Sequence, residues 1–436
     1  MRIIDASNRR ALETVLQRER PTDRAFERRV GRIVDRVRRG GDAALAWCAK
    51  RFDRVSPPLE VSRAEMVAAA ATVPTDVRRA IRQAARQIAR VAFQQIPKHW
   101  DMSVAPGVGL EQRVEPLESV GCYVPGGRFP LPSSMLMTAV PARVAGVREI
   151  VAVCPRPEPA VMAAALEAGV TRLLRVGGAH AVAALAYGTE TIPRVDKIVG
   201  PGNRYVSAAK ALVSRDCAID FYAGPTEIVI VAGAGWPDWI AADLVAQAEH
   251  DPDARAIFLT WSRPLAERVV QAVAKRTKGR GREVVRQSLT AGGVAIVTRT
   301  PDEAMALANR LAPEHLVVDR ESLTRRPLVA GAVFVGPYSA QAAGDYATGS
   351  NHVLPTAGAA RFRGGLSASD FVRVMAVQRV TRAGLRGLAS TILPLAAAEG
   401  LTAHAESIVV RLASGSRRAR RAGGGRRARA AGPVET

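Results

Sequence analysis

Apolar residues recur at two different spacings along the chain, and the change from one to the other divides it. Phe26, Val30, Ile33, Val34 and Val37 return every three or four positions, and Val77, Ile81, Ala84, Ile88 and Val91 repeat the pattern. That spacing lines one face of a helix, so two amphipathic helices are predicted in the first hundred residues, the first closed by Gly40-Gly41. From Val120 the texture changes to short β-branched runs set between Gly and Pro and alternating with Ala-rich stretches. They are EIVAVCP, RLLRVGG and KIVGPGN, then EIVIVAG, AIFLTW, VAIVTR, HLVVD and AVFVG. Short buried strands alternating with helices predict βαβ units and mainly parallel sheets. Two α/β units are expected, the second reaching about Gly365. Ser367 to Leu412 reads as helical with a strand-like end from Ser407, and no repeat of fixed period is present.

The chain has 436 residues, 48% of them hydrophobic. That is too much for one small core and enough for two or three packed units. Its net charge of +22 raises the question of nucleic acid. A nucleic-acid surface clusters its charge on one face among aromatics, whereas here Arg is scattered through periodic helices and aromatics are scarce. The densest basic run, Gly415 to Thr436, reads as a disordered extension. Cys48, Cys122, Cys154 and Cys217 form no C-x-x-C pair, so buried reduced thiols are expected rather than disulfides or a thiolate metal site. No apolar run reaches membrane-spanning length and no signal-peptide pattern opens the chain. A soluble cytoplasmic protein is expected.

Candidate chemistry falls in four polar islands. In DLVAQAEHDPD, Gln247 and His250 stand three apart on a predicted helix and project from one face, where an amide oxygen and an imidazole can share a metal. For a lone Q-x-x-H, a polar helix end is the favoured reading. In RLAPEHLVVD, Glu314 and His315 follow Pro313 at the mouth of a predicted strand, an arrangement suited to proton transfer and water activation. AGDYATGSNHVLPT reads as a Gly-rich loop carrying Asp345 and His352, and AEGLTAHAESI carries Glu399 and His404. Four of the six histidines lie in these islands. Gln247, His250, Asp345 and His404 compose a nitrogen and oxygen set that suits zinc.

Dinucleotide signals are spread out. GAGWPD carries Asp238 where G-x-G-x-x-G needs its third glycine, and is rejected as a cofactor loop. CYVPGG at Tyr123, GGAHAVAALAYGTE at His180 and GPGNRYV at Asn203 are better candidates, because glycines at strand ends let a diphosphate approach a helix N-terminus. Tight strand-to-helix turns explain the same glycines. The absence of G-K-[ST] and H-E-x-x-H argues against an NTPase or a zincin protease.

VGCYVPGG, KIVGPGN, YAGPTEI, QAEHDPD, APEHL, GDYATGSNHVLPT and LTAH, in this order, resemble the histidinol dehydrogenase family over about residues 1 to 412. The resemblance implies an intertwined homodimer with two Rossmann-like parallel-sheet units and small helical extensions at each end. It implies an N-terminal extension at 1–17, a larger α/β domain from 18–122 and 227–366 with the metal and catalytic residues, and an NAD-binding domain at 123–226. A dimerisation domain at 367–414 and the tail at 415–436 complete the division. It further implies one Zn2+ per subunit and oxidation of L-histidinol through histidinaldehyde to L-histidine with two NAD. Zinc would be held by Gln247, His250 and Asp345 of one chain and His404 of its partner. His315 would be the general base and Glu314 would activate water. Thr226, His352 and Glu399 match substrate contacts alongside those residues, and Tyr123, His180 and Asn203 match NAD contacts. Position 180 is His where the family usually has Gln, and Thr226 replaces the commoner Ser. Two other readings stand beside this one: a related zinc and NAD dehydrogenase of another small alcohol such as a sulfonated diol, and a basic nucleic-acid-binding protein on an inactive enzyme fold.

Overall fold

The computed structural model describes residues 1–17, 23–126, 129–221 and 224–422. Its strands, in chain order, are β1 (Arg2–Asp5), β2 (Glu60–Val61), β3 (Trp100–Ala105), β4 (Val108–Pro116), β5 (Ser119–Tyr123), β6 (Glu149–Val153), β7 (Arg172–Leu174), β8 (Lys197–Val199), β9 (Ala218–Ile219), β10 (Glu227–Val231), β11 (Arg255–Thr260), β12 (Gly293–Val297), β13 (His315–Val318), β14 (Ala332–Val335) and β15 (Val372–Val380). The chain divides into two compact units, one of Met1–Ile96 with Pro116–Val372, the other of Pro97–Glu115 with Arg373–Thr436.

The first unit contains two six-stranded sheets. One runs β1-β12-β11-β10-β13-β14 with every pairing parallel. The other runs β2-β7-β6-β5-β8-β9, parallel except for the short edge strand β2. All eight apolar runs picked out in the sequence form strands at their expected places. Side chains of a strand point alternately to opposite faces, so a run apolar throughout can bury both. Ile228 and Ile230 of β10 enter one core with Phe258 of β11, while Val229 and Val231 enter another with Ile257 and Leu259. Helices Pro237–Ala248, Arg263–Arg276 and Glu283–Ala291 cover the first of these faces, and Arg9–Leu16 and Pro301–Leu311 the second.

The second sheet is covered in the same way. Helices Arg63–Ala71, Thr75–Gln94, Pro132–Val144 and Pro159–Ala168 pack on one face, and Arg24–Cys48, Gly178–Tyr187 and Arg204–Val213 on the other. This packing corrects the expected grouping of 18–122 with 227–366, because the helices of residues 24–94 bury their apolar stripes against the 119–219 sheet. Residues 1–17 are likewise no appendage: β1 is an edge strand, and Leu12 and Val15 are buried beside it. The glycine pair does not end the helix either. Helical backbone resumes after Gly41, which takes φ 49° and ψ −139°, and continues to Cys48. A Cβ at Gly41 would lie 2.2 Å from Glu190 Oε2, so both conformation and space reserve the kink for glycine.

The second unit holds a three-stranded sheet, β15-β4-β3, and helices Arg382–Ala398 and Thr402–Ala422. The expectation of helix throughout 367–412 fails at β15, whose Arg379 pairs with Glu111 of β4, 2.6 Å apart. The strand-like end expected from Ser407 is helical instead, and the backbone stays helical through Ala422, into the segment read as disordered. Residues 423–436 of that tail lie outside the described residues. Among the described residues no helix is long and apolar enough to cross a membrane. All four cysteines are buried and free. Burial pushes each thiol up, Cys122 to about 12, so none is a ready nucleophile.

Candidate active site

The polar islands of the first unit meet at the N-terminal edge of its first sheet. Thr226 precedes β10, and His315 opens β13 in register with Ile228 on one side and Ala332 on the other. Helix Pro237–Ala248 runs back from the far edge and delivers Gln247 in its last turn. Ala312, in the left-handed region at φ 43°, ends Pro301–Leu311 and turns the chain into Pro313 and Glu314. Gly331 passes so close that a Cβ there would lie 2.7 Å from the Glu314 carbonyl oxygen.

Hydrogen bonds order these side chains. The Gln247 amide nitrogen donates to the Thr226 hydroxyl, which donates to Glu314 Oε2. The same Oε2 accepts the Glu227 N–H at 2.9 Å. With its nitrogen committed, Gln247 is left with a buried Oε1 that has no hydrogen-bond partner among the described residues. A buried carbonyl oxygen is seldom left so, and a cation would satisfy it.

His315 Nδ1 lies 3.3 Å from the Glu227 carbonyl oxygen. A carbonyl only accepts, so Nδ1 carries the proton and the lone pair sits on Nε2, facing the Gln341 amide nitrogen at 3.4 Å and Asp345 Oδ1 at 4.0 Å. Gln341 also donates to Asp345 Oδ2 at 2.6 Å, and His352 Nδ1 donates to the Asp345 carbonyl at 3.1 Å. Burial pushes Glu314 up to about 7, opposed by the Thr226 hydrogen bond, and pushes His315 and His352 down to about 4. Burial also raises Asp345, against the charges of His315 and His250. The acid and the base thus both tend to neutrality, the condition under which one can take a proton where the other has just released one.

His250 lies beyond the end of its helix, in an exposed turn, so the expected one-face projection with Gln247 is replaced by a turn that carries it out of the helix. It nonetheless stands near enough to act electrostatically on Glu314, His315, Asp345 and His352. Asp345 is not on an irregular loop but on the short helix Gln341–Tyr346. Glu399 and His404 belong to the second unit, Glu399 as the C-cap of Arg382–Ala398 and His404 in the first turn of Thr402–Ala422, both exposed. Among the described residues no three His, Cys, Asp or Glu side chains form a metal cluster. Gln341 escaped the sequence reading, since its partner Asp345 sits one turn on in a stretch too short to show a period.

The three dinucleotide candidates lie along the C-terminal edge of the second sheet. Tyr123 ends β5, and its phenol accepts the Gly178 N–H at 2.8 Å. His180, expected to be open to a cofactor, is buried and joins Asp53 at 2.8 Å, while Asp53 also accepts the Gly177 N–H at 2.9 Å. Asp53, 127 positions away, gave no local signal. Asn203 caps Arg204–Val213 by accepting from Tyr205 and Val206 N–H, and is exposed.

Against known sequence families, the histidinol dehydrogenase model matches residues 16–412. The chain belongs to the histidinol dehydrogenase family. Among the family's relatives of this chain, one from Methanothermobacter thermautotrophicus is 47% identical over 88% of this chain and 92% of its own. Another, from Dechloromonas aromatica, is 43% identical over 94% of this chain and 98% of its own. A crystal structure of histidinol dehydrogenase from Elizabethkingia anophelis superposes with a TM-score of 0.90 at 33% identity, covering 95% of this chain and 98% of that one. The mixed α/β architecture with parallel sheets is therefore that of the family.

Proposed function

We propose that this protein is an NAD-linked, zinc-dependent L-histidinol dehydrogenase that carries its amino alcohol through two oxidations, by way of L-histidinaldehyde to L-histidine, in histidine biosynthesis. The observation that carries the reading is the buried Glu314–His315 pair at the mouth of β13, set beside a Gln247 amide oxygen that lacks a partner among the described residues.

The donors fit zinc. An orphaned amide oxygen, the Asp345 carboxylate and the His250 imidazole are ligands of the required kind, and His404 of a second copy is proposed to complete the set. When bound, zinc would supply a Lewis acid that anchors nitrogen donors of the substrate. NAD would accept a hydride in each oxidation.

His315 Nε2 takes the hydroxyl proton in the first oxidation, its ring held by the Glu227 carbonyl. Glu314 then takes a proton from the water that adds to the aldehyde carbon. His315 returns the proton it took to the former carbonyl oxygen, which completes the hydrate, and then, neutral again, takes a proton from the hydrate as the second hydride leaves. Thr226 holds Glu314 and Gln247 in register, and His352 with Glu399 of the second copy is proposed to contact the substrate.

The NAD assignment is supported by position. β5 and β8 are neighbours from which the chain leaves toward opposite faces of the second sheet, the place where open parallel sheets take dinucleotides. The leading amides there are already taken by Asp53, Tyr123 and Asn203, so the residues do not form the usual free-amide diphosphate cradle. Of the three side chains, Asn203 is the one exposed for contact. Exposed Met102, Val104, Leu401 and Val409 in the second unit support a homodimer, and buried free thiols suit a cytoplasmic location.

The test is NADH formed per L-histidinol consumed by zinc-loaded protein, before and after chelation, with a sulfonated diol as control. Two NADH per histidinol, lost on chelation, is the expected result. Turnover of the diol alone would move the chain to another dehydrogenase activity. His315→Asn is expected to slow the first oxidation by at least about 100-fold. Glu314→Gln is expected to slow aldehyde oxidation more than alcohol oxidation, read with each substrate separately.

A further inference from the structure

The opposite edge of the first sheet holds a cavity of about 440 Å3, remote in the fold from the strand mouths that carry Glu314 and His315. It opens beyond the carboxyl ends of β10 and β13. These strands are neighbours, and the chain leaves them toward opposite faces, into helix Pro237–Ala248 after β10 and into Glu321–Arg325 after β13. Crevices at such reversals in strand order are where open parallel sheets receive small ligands, and the volume lies in the range of small-molecule sites. The segment GAGWPD, unfit for a diphosphate, forms its rim.

The lining has a definite chemistry. Ile230 and Val317 make an apolar floor, and Trp236 and Trp239 stand at the mouth with ring centroids 4.3 Å apart. Both indoles are conspicuously exposed for their type, at 55% and 41%. Three charged side chains line the space: Asp243, Asp319 and Arg320. Arg320 bonds both carboxylate oxygens of Asp319 at 2.8 Å, and Asp319 also accepts the Gly233 N–H, so those two charges are spent on each other. Asp243 is different: among the described residues nothing donates to its carboxylate, and burial alone raises it to about 6. An acid half sunk in an apolar wall beside two aromatic faces lacks a cation, and indole faces attract cations too.

We propose that this cavity is a second ligand site, which takes a planar organic cation with its ring against Trp236 and Trp239 and its charge on the Asp243 carboxylate. The site is independent of the zinc and NAD reading, since none of its residues belongs to that machinery.

The probe is benzamidine, a flat aromatic cation, compared with its neutral isostere benzamide by titration calorimetry on the full-length protein at pH 7.5. Benzamidine is expected to bind at least tenfold more tightly than benzamide. Asp243→Asn is expected to erase that preference while leaving benzamide binding and unliganded histidinol turnover unchanged, and Trp239→Leu to weaken both ligands. Equal binding of the two ligands, or unchanged benzamidine binding in Asp243→Asn, would overturn the proposal. Trp236→Ala, at an exposed rim position, guards against a variant that fails to fold. A change in oligomeric state with that substitution, seen by sedimentation, would mark the face as a contact between copies and overturn the proposal as well.

Discussion

Gln247 can offer its amide oxygen to a cation only while its amide nitrogen is held elsewhere, and the Thr226 hydroxyl holds it. Loss of that hydroxyl frees the amide to rotate and strips Glu314 of a donor. Thr226→Val is therefore expected to weaken zinc by about 10- to 100-fold in competition with a chelator, whereas Thr226→Ser keeps the relay and the affinity. A second expectation concerns pH. His315 and His352 fold with their pKa lowered from 6.5 to about 4, so below pH 6.5 the unfolded chain binds protons that the folded one refuses. Each histidine then costs stability as pH falls from about 6.5 to about 4, up to about 3 kcal/mol apiece. Glu314, raised from 4.5 to about 7, acts in the opposite sense and costs stability as pH rises through that interval. In urea unfolding of metal-free protein, Glu314→Gln should steepen the loss on acidification and His315→Asn should make it shallower. Identical pH profiles for wild type and both variants would refute the burial argument.

Individual elements were legible in the sequence where the period was long or the run fully apolar. Helix Thr75–Gln94 follows its heptad-like stripe, and the eight apolar runs follow the two-faced burial of parallel strands. The errors have a common origin in tertiary contact. Nothing local reveals that a helix resumes beyond Gly41 because the kink fits under Glu190, or that Glu111 draws Arg379 into a strand. The site was legible as residue types, and the family motifs supplied its membership. Its geometry was not, since Gln341 reaches Asp345 from a helix too short to show a period and Asp53 holds a partner 127 positions away. One element carries a prediction of its own. Lys210, fully buried, donates to the Gly200 carbonyl at 3.0 Å and pairs with buried Asp220, tying the end of β8 to the residue after β9. Lys210→Met leaves the Asp220 carboxylate without its cation and should cost about 3–5 kcal/mol in denaturant unfolding. Replacing both partners by apolar residues should cost less.

At the scale of the molecule, the second unit displays apolar side chains that a solitary chain gains nothing by exposing, among them Leu401 just before its last helix and Val409 on it. If they are the subunit contact, Leu401→Glu with Val409→Glu should yield a monomer by sedimentation equilibrium, with the far-ultraviolet dichroism of the wild type and weakened zinc binding. A dimer of unchanged affinity would remove the second unit from that role.

Strand β1 also has a consequence in time. Its partner is β12, Arg2 lying against Val294, so the whole second sheet is synthesised between the two. At 5–20 residues per second, the first strand waits on the order of 15–60 s for the residues that will receive it. During that wait, the 24–221 segment can close the core on one face of its sheet, while the other still lacks Val353, Leu366 and Phe371, and β1 is an unpaired strand exposed to other chains. A folding helper that pairs with unpaired strand edges would find an opportunity at Arg2–Asp5 on the ribosome, before β12 has left the exit tunnel.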